Sequence, residues 1–183
     1  MKKPFRHIAP PMPDEYLENE PSLEELMPQD GLLLQHMADN FASLRTLLQD
    51  LPEERLQFRY APGKWDIREM VLHLMDSERV FAYRALSFAR NDKTILPGYD
   101  HLAWTAIAHP ANRSIEDLLE EYATIRSATL SLFNSLDDEA LLRRGTANGS
   151  RVSVRALAYY IGGHELHHRG ILQRDYLSVA ITP

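Results

Sequence analysis

His164 and His168 stand four residues apart in the run His164-Glu165-Leu166-His167-His168. That spacing is one helical turn, so both imidazoles can reach one metal ion. The run also spells H-E-x-x-H, the zinc-peptidase pattern in which the intervening glutamate is the general base. A zincin takes a third ligand from downstream, and the sequence here is short. The extended metzincin pattern places Gly at 171 and His at 174, whereas this chain has Ile171 and Arg174. A third ligand is therefore expected from upstream.

His73 is the candidate. It falls on a stripe of Met70, His73, Ser77, Val80 and Arg84, while His164 and His168 fall on a stripe with Leu157, Ile161 and Ile171. Both stripes should face the interior. Buried imidazoles left unpaired cost about 1–3 kcal/mol each, and a shared ion removes that cost. Three neutral histidines would leave the ion its full charge and an open position for a reactant. Imidazole ligation suits zinc or nickel first, with iron and manganese also compatible.

Other residues gather around this expectation. Ser77 lies one turn from His73 and is a candidate to line the pocket. Arg84, on the same face, is a candidate for a substrate carboxylate or phosphate, or for an ion pair with Asp100. Tyr99 and Trp104, with the segment Ile95–Asp100, look like a cover over the site, Trp104 having packed core as its alternative. Asp76, Glu165 and His167 are candidates to support the ligands from behind. Glu165 is otherwise expected to face solvent, and Glu78 to be a solvated charge. His101, His109 and His36 have weaker claims, His101 and His109 as acid–base groups or a fourth ligand. Gly162 and Gly163 precede His164 directly and either admit close packing or mark a kink.

Four amphipathic helices must position these groups. The spacing predicts helices over about 31–51, 66–89, 114–136 and 153–176. Asp66 followed by Glu69 reads as a capping box, and Ser114 and Ser153 as N-caps. No convincing alternating strand appears, so the expected class is all-α, a four-helix bundle over residues 30–178. The connection from about 90 to 113 is long enough to cross the bundle, which would allow the second and third helices to run parallel. Residues 1–29, rich in proline and acid, read as an extended arm, and 179–183 as a tail.

Composition narrows the function. A formal charge of −6 disfavours nucleic acid. The cluster Arg143, Arg144, Arg151 and Arg155 reads as solvated charge around a loop and helix start. There are no cysteines, which removes disulfides, thiolate zinc sites and a cysteine nucleophile. No apolar run approaches membrane-spanning length, and a cytoplasmic protein is expected.

Lys64-Trp65-Asp66-Ile67-Arg68-Glu69, His73, Asp76-Ser77-Glu78-Arg79, Arg84, Pro97-Gly98-Tyr99-Asp100 and Gly163-His164-Glu165-Leu166-His167-His168 together resemble the DinB-like, or YfiT-like, superfamily over roughly residues 31–178. The resemblance implies a four-helix bundle in up-down-down-up order. It implies a divalent metal held by His73, His164 and His168, and for many members a homodimer. It further implies either thiol-dependent S-transfer, with a low-molecular-weight thiol as cosubstrate, or metal-dependent hydrolysis of a small amide or ester. A non-catalytic, stress-related metal-binding protein is the competing class, and fold membership alone does not choose among them.

Overall fold

The computed structural model describes residues 4–18 and 22–179. Its helices are α1 (Leu33–Leu48), α2 (Glu53–Leu56), α3 (Ile67–Ala89), α4 (His101–Ala108), α5 (Ile115–Ser135), α6 (Asp138–Leu142) and α7 (Val154–Ile171), the last continued by a π-turn over Leu172–Leu177. The long helices start where local chemistry says they should. Asp66 and Glu69 form a complete capping box on α3. Ser114 caps α5 and Ser153 caps α7 through their side chains.

α1, α3, α5 and α7 form the bundle. One core cluster joins Phe41, Leu44 and Leu48 near the end of α1 with Ile67–Met75 at the start of α3. Ile115–Ile125 at the start of α5, and Leu172 and Tyr176 beyond α7, complete it. The ends of α1 and α7 thus meet the beginnings of α3 and α5, which is up-down-down-up. The connection 90–114 has to span the bundle's length, and it carries α4 and a 3-10 turn, Pro110–Asn112.

The second apolar cluster holds the opposite halves of the same helices, including Met37, Phe81, Phe88, Phe133 and Leu157. A charged belt separates the two clusters. Arg126 donates to Glu78 at 2.8 Å, to Glu165 at 2.7 Å and to the Met37 carbonyl at 2.6 Å. Tyr122 donates to Glu165 at 2.9 Å. Glu78 and Glu165 are thus buried ion-pair partners, not the solvated charges that their places on the helices suggest. Arg126 joins them across α3, α5 and α7, a pairing no single helix pattern reveals.

Two further departures involve a hairpin and the N-terminal segment. A hairpin, β1 (Arg144–Ala147) and β2 (Ser150–Ser153), precedes α7. Its turn residues Asn148 and Gly149 take φ of 51° and 78°, the geometry of a tight hairpin turn. Leu96 of the long connection bridges to Ala147 beside it. The N-terminal segment supplies Ile8, Leu17, Leu23 and Met27 to the second cluster. Arg144 pairs with Asp14 at 2.9 Å and Arg155 with Glu15 at 2.6 Å, so part of the arginine cluster fastens this segment instead of facing water. Most of the expected tail, 180–183, lies outside the described residues. No helix among the described residues is long and apolar enough to cross a membrane.

Candidate metal centre

α3 and α7 lie side by side, and their histidines meet. His73 Nε2 is 3.1 Å from His164 Nε2, which is 3.1 Å from His168 Nε2. All three donor atoms lie within 4.8 Å of one another. A tetrahedral ion with bonds of about 2.0–2.1 Å separates its nitrogens by roughly 3.3 Å, so the spacing suits one ion.

The protonation chemistry points the same way. A neutral imidazole nitrogen is either a donor or an acceptor. His164 Nε2 therefore satisfies only one of its two 3.1 Å contacts by hydrogen bonding. Adding a proton does not resolve the conflict cheaply. Burial drives His73 down to about 4 and His168 down to about 3, with His164 lowered well below the ordinary histidine value by burial and the neighbouring rings. A shared cation satisfies all three lone pairs at once, and the donor set fits a divalent metal.

The surroundings hold the rings in place. The Tyr99 hydroxyl lies 2.7 Å from Ser77 Oγ, which sits 3.5 Å from His73 Nδ1. Trp65 packs on the His73 ring with centroids 4.7 Å apart. Tyr160 stacks on His164 at 6.0 Å. His168 Nδ1 is buried without a hydrogen-bond partner among the described residues. A cavity of about 240 Å³ opens over the three rings, lined also by Arg84, Tyr99, His101 and His167.

A model of the DinB superfamily matches residues 36–172. The chain belongs to the DinB superfamily. It is 31% identical over 124 residues to a protein of Oceanobacillus iheyensis named "Putative metal-dependent hydrolase", covering 66% of this chain and 70% of that one. The fold is similar to that of YfiT from Bacillus subtilis (TM-score 0.66, 20% identity, 80% of this chain and 87% of that one). That structure is described as "a probable metal-dependent hydrolase with an unusual four-helix bundle topology". It is also similar to a DinB-like protein from the same organism (TM-score 0.58, 21% identity, 82% of this chain and 94% of that one).

Within this DinB bundle the other expected residues divide. Ser77, Tyr99 and Arg84 come to the centre or its cavity. Arg84 donates to the Pro97 carbonyl at 3.0 Å, whereas Asp100, its expected ion partner, caps α4. His167 is exposed at the rim with its ring 5.2 Å from His168. Three of the expected residues stand apart from the rings. Glu165 supports no imidazole; it is turned into the charged belt at 1% exposure. Asp76 contacts Arg79 at 3.4 Å, and burial raises its carboxyl above the ordinary aspartate value. Trp104 is 46% exposed, packs on Tyr99 at 5.0 Å and stands off the cavity wall. His109 caps α4 in a left-handed conformation, and His36 bonds Asp30, both away from the cavity.

His101 reaches the site, with its ring 5.3 Å from His73. Its place in the long connection hides this proximity in the sequence. Trp65, Phe81, Tyr160 and Leu23 also line the cavity and were not anticipated there. The signal for Tyr160 was its place one turn before His164. Leu23 is brought in by Gly163: a Cβ there would come within 1.8 Å of the Leu23 carbonyl oxygen. The glycine pair thus serves close packing, and it lets the N-terminal segment reach the cavity.

Proposed function

We propose that this protein is a metal-dependent enzyme that activates a small nucleophile at His73, His164 and His168, with hydrolysis of a small amide or ester as the leading reaction. What carries the reading is the convergence of three uncharged Nε2 atoms beneath an open cavity. A divalent ion on such a donor set keeps its charge, which acidifies a nucleophile and polarises the bond to be broken. The relatives named as hydrolases support the same choice.

The chain's own residues complete the site. Ser77 and Tyr99 fix the orientation of His73. Trp65 and Tyr160 brace the rings and keep water from their edges. His101 and His167, exposed at the rim, are placed to pass protons between the cavity and solvent.

A thiol is the second nucleophile to weigh. The chain has no cysteine, so a thiol must arrive from outside. Its ordinary pKa near 8.5 also asks less of the site than water does. The ion-loaded protein, offered activated esters and amides with water alone and then chloro-dinitrobenzene with a panel of small thiols, separates the two. Turnover that vanishes on chelation and in His164→Gln supports the enzyme reading. Loss of neither activity refutes it.

A further inference from the structure

A second cavity, of about 270 Å³, opens beside the metal centre. Trp65, His101 and His168 belong to the walls of both cavities. The turn before α3 supplies Tyr60, Gly63 and Lys64 to the second one, and Ile171 and Tyr176 enter it where α7 ends. That turn is held in one shape. Gly63 takes a φ of 76°, the left-handed region that a side chain resists. The Lys64 N–H donates to the Ala61 carbonyl at 3.2 Å, and Arg59 donates to the Lys64 carbonyl at 2.6 Å. The Tyr176 hydroxyl donates to the Trp65 carbonyl at 2.5 Å. Arg59 is itself tied to Asp66 and Glu69 of the α3 capping box. The cavity is therefore formed before any ligand arrives, which lowers the ordering cost of binding.

The lining selects a ligand. Trp65, Met70, Leu102, Ile171 and the two tyrosines make it largely aromatic and apolar, and no carboxylate is among the lining residues. Lys64 brings the one full charge, its ammonium 5.7 Å from the centroid of the Tyr60 ring. Lys64 is exposed and pairs with no carboxylate among the described residues. A cation left uncommitted beside apolar walls attracts an anion. An apolar cavity of about 150 Å³ takes a benzene ring, so this one has space for a ring and a short chain.

We propose that this cavity is a second small-molecule site, which binds a small aromatic carboxylate with its ring in the apolar interior and its carboxylate at Lys64. The ligand then lies against Trp65 and His168, side chains that the metal centre also uses. Neither Lys64 nor the apolar wall depends on an ion, so the site stands apart from the metal reading.

Fluorescence of Trp65 reads occupancy in a full chain carrying Trp104→Phe, which leaves one tryptophan. The chain is chelator-treated, so that no ion can hold the carboxylate, and is titrated with 3-phenylpropionate and with its neutral amide, 3-phenylpropionamide. An exposed cation predicts that the acid binds about 2- to 5-fold more tightly than the amide. The gap should close in Lys64→Gln and persist in Lys64→Arg, with amide binding unchanged in both. Because Trp65 lines both cavities, Leu102→Asp locates the ligand: Leu102 lines only the second, and a carboxylate there should weaken acid binding and spare the amide. Lys64 and Leu102 are both exposed, so these substitutions leave the core untouched. The absence of a saturable change with either compound overturns the proposal, as does equal binding of the two. A gap that survives Lys64→Gln also overturns it, since another cation would then hold the acid. So does acid binding that is indifferent to Leu102→Asp. Failure of the metal reading leaves all of these outcomes intact, because no ion is present in the titration.

Discussion

His164 and Glu165 are neighbours in sequence but serve different parts of the bundle. The His164 ring faces His73 and His168 under the cavity, while the Glu165 carboxylate is sealed against Arg126 and Tyr122. The roughly 100° step between successive helical residues makes this division. It means that the backbone carrying the central imidazole is clamped on its other side by a buried ion network. Positioning of the metal centre and stability of the core are therefore coupled through one peptide unit.

Removing the clamp should be costly. In Arg126→Met, Glu78 and Glu165 lose their shared cation while remaining buried. Stranding a buried charge in this way costs about 3–5 kcal/mol. At about 2–4 °C per kcal/mol for a chain of this size, the melting temperature should fall by roughly 10 °C. Thermal unfolding by circular dichroism measures it. Restoration of part of the loss in the double variant Arg126→Met with Glu165→Gln, and of more when Glu78→Gln is added, would trace the cost to the stranded carboxylates.

One divalent ion should bind per chain. His164 touches both other imidazoles, so His164→Gln should abolish stoichiometric binding, whereas exposed His167→Gln should leave it intact. Elemental analysis after gel filtration counts the ions. Ligand linkage adds about 2.7 kcal/mol at a hundredfold excess over Kd, so loading should also raise the melting temperature of the wild type. Equal ion content in wild type and His164→Gln would place the ion elsewhere.

Why was this centre legible in the sequence when the charged belt was not? His164 and His168 announce themselves by one-turn spacing, and His73 by an apolar stripe; both are local periodicities. The α3 start was equally local, because Asp66 and Glu69 satisfy each other's backbone within one turn. Glu78 and Arg126 are 48 positions apart, and no periodicity on either helix pairs them. The hairpin escaped for another reason. Its strands are four residues long, and β1 buries only Ala147, so no alternation stands out. The Asn148-Gly149 turn was the available signal. Burial of Leu23 and Met27 depends on the absence of a side chain at Gly162 and Gly163, which a propensity scale reads only as helix weakness.

Stability without metal should fall as the solution is acidified from neutral. His73 and His168 titrate near 6.5 when unfolded but are depressed by burial to about 4 and about 3 in the folded chain. Above pH 6.5 neither state binds the protons, and stability is at its full value. Between 6.5 and the folded values only the unfolded state binds them, so folding weakens as pH drops. From pH 6.5 to 5 this amounts to about 2 kcal/mol per imidazole. Asp66 and Asp76, raised by burial, act in the opposite sense at lower pH. Urea unfolding at pH 7.5 and 5.0 in chelator should show the loss, and the triple variant His73→Gln, His164→Gln, His168→Gln should show much less of it.

The last prediction concerns Gly163. A methyl group there meets the Leu23 carbonyl oxygen at 1.8 Å, a distance that backbone cannot accept without moving. α7 is held by the bundle on its other faces, so the yielding partner should be the 3-10 turn Leu23–Leu26. Gly163→Ala gains helix propensity of about 1 kcal/mol but should lose more than that through overpacking, for a net cost of up to about 2 kcal/mol. Since Leu23 lines the cavity, its displacement should also expose the indole of Trp65, which lines the same cavity. Acrylamide quenching should therefore rise in Gly163→Ala, while Gly170→Ala, with open space beside its Cα, should quench as wild type does. A quenching increase that disappears when Trp65 is replaced by Phe assigns the change to the cavity and not to Trp104. An unchanged Gly163→Ala would mean that α7, carrying His164 with it, moves instead of the N-terminal segment; ion affinity rather than quenching would then register the substitution.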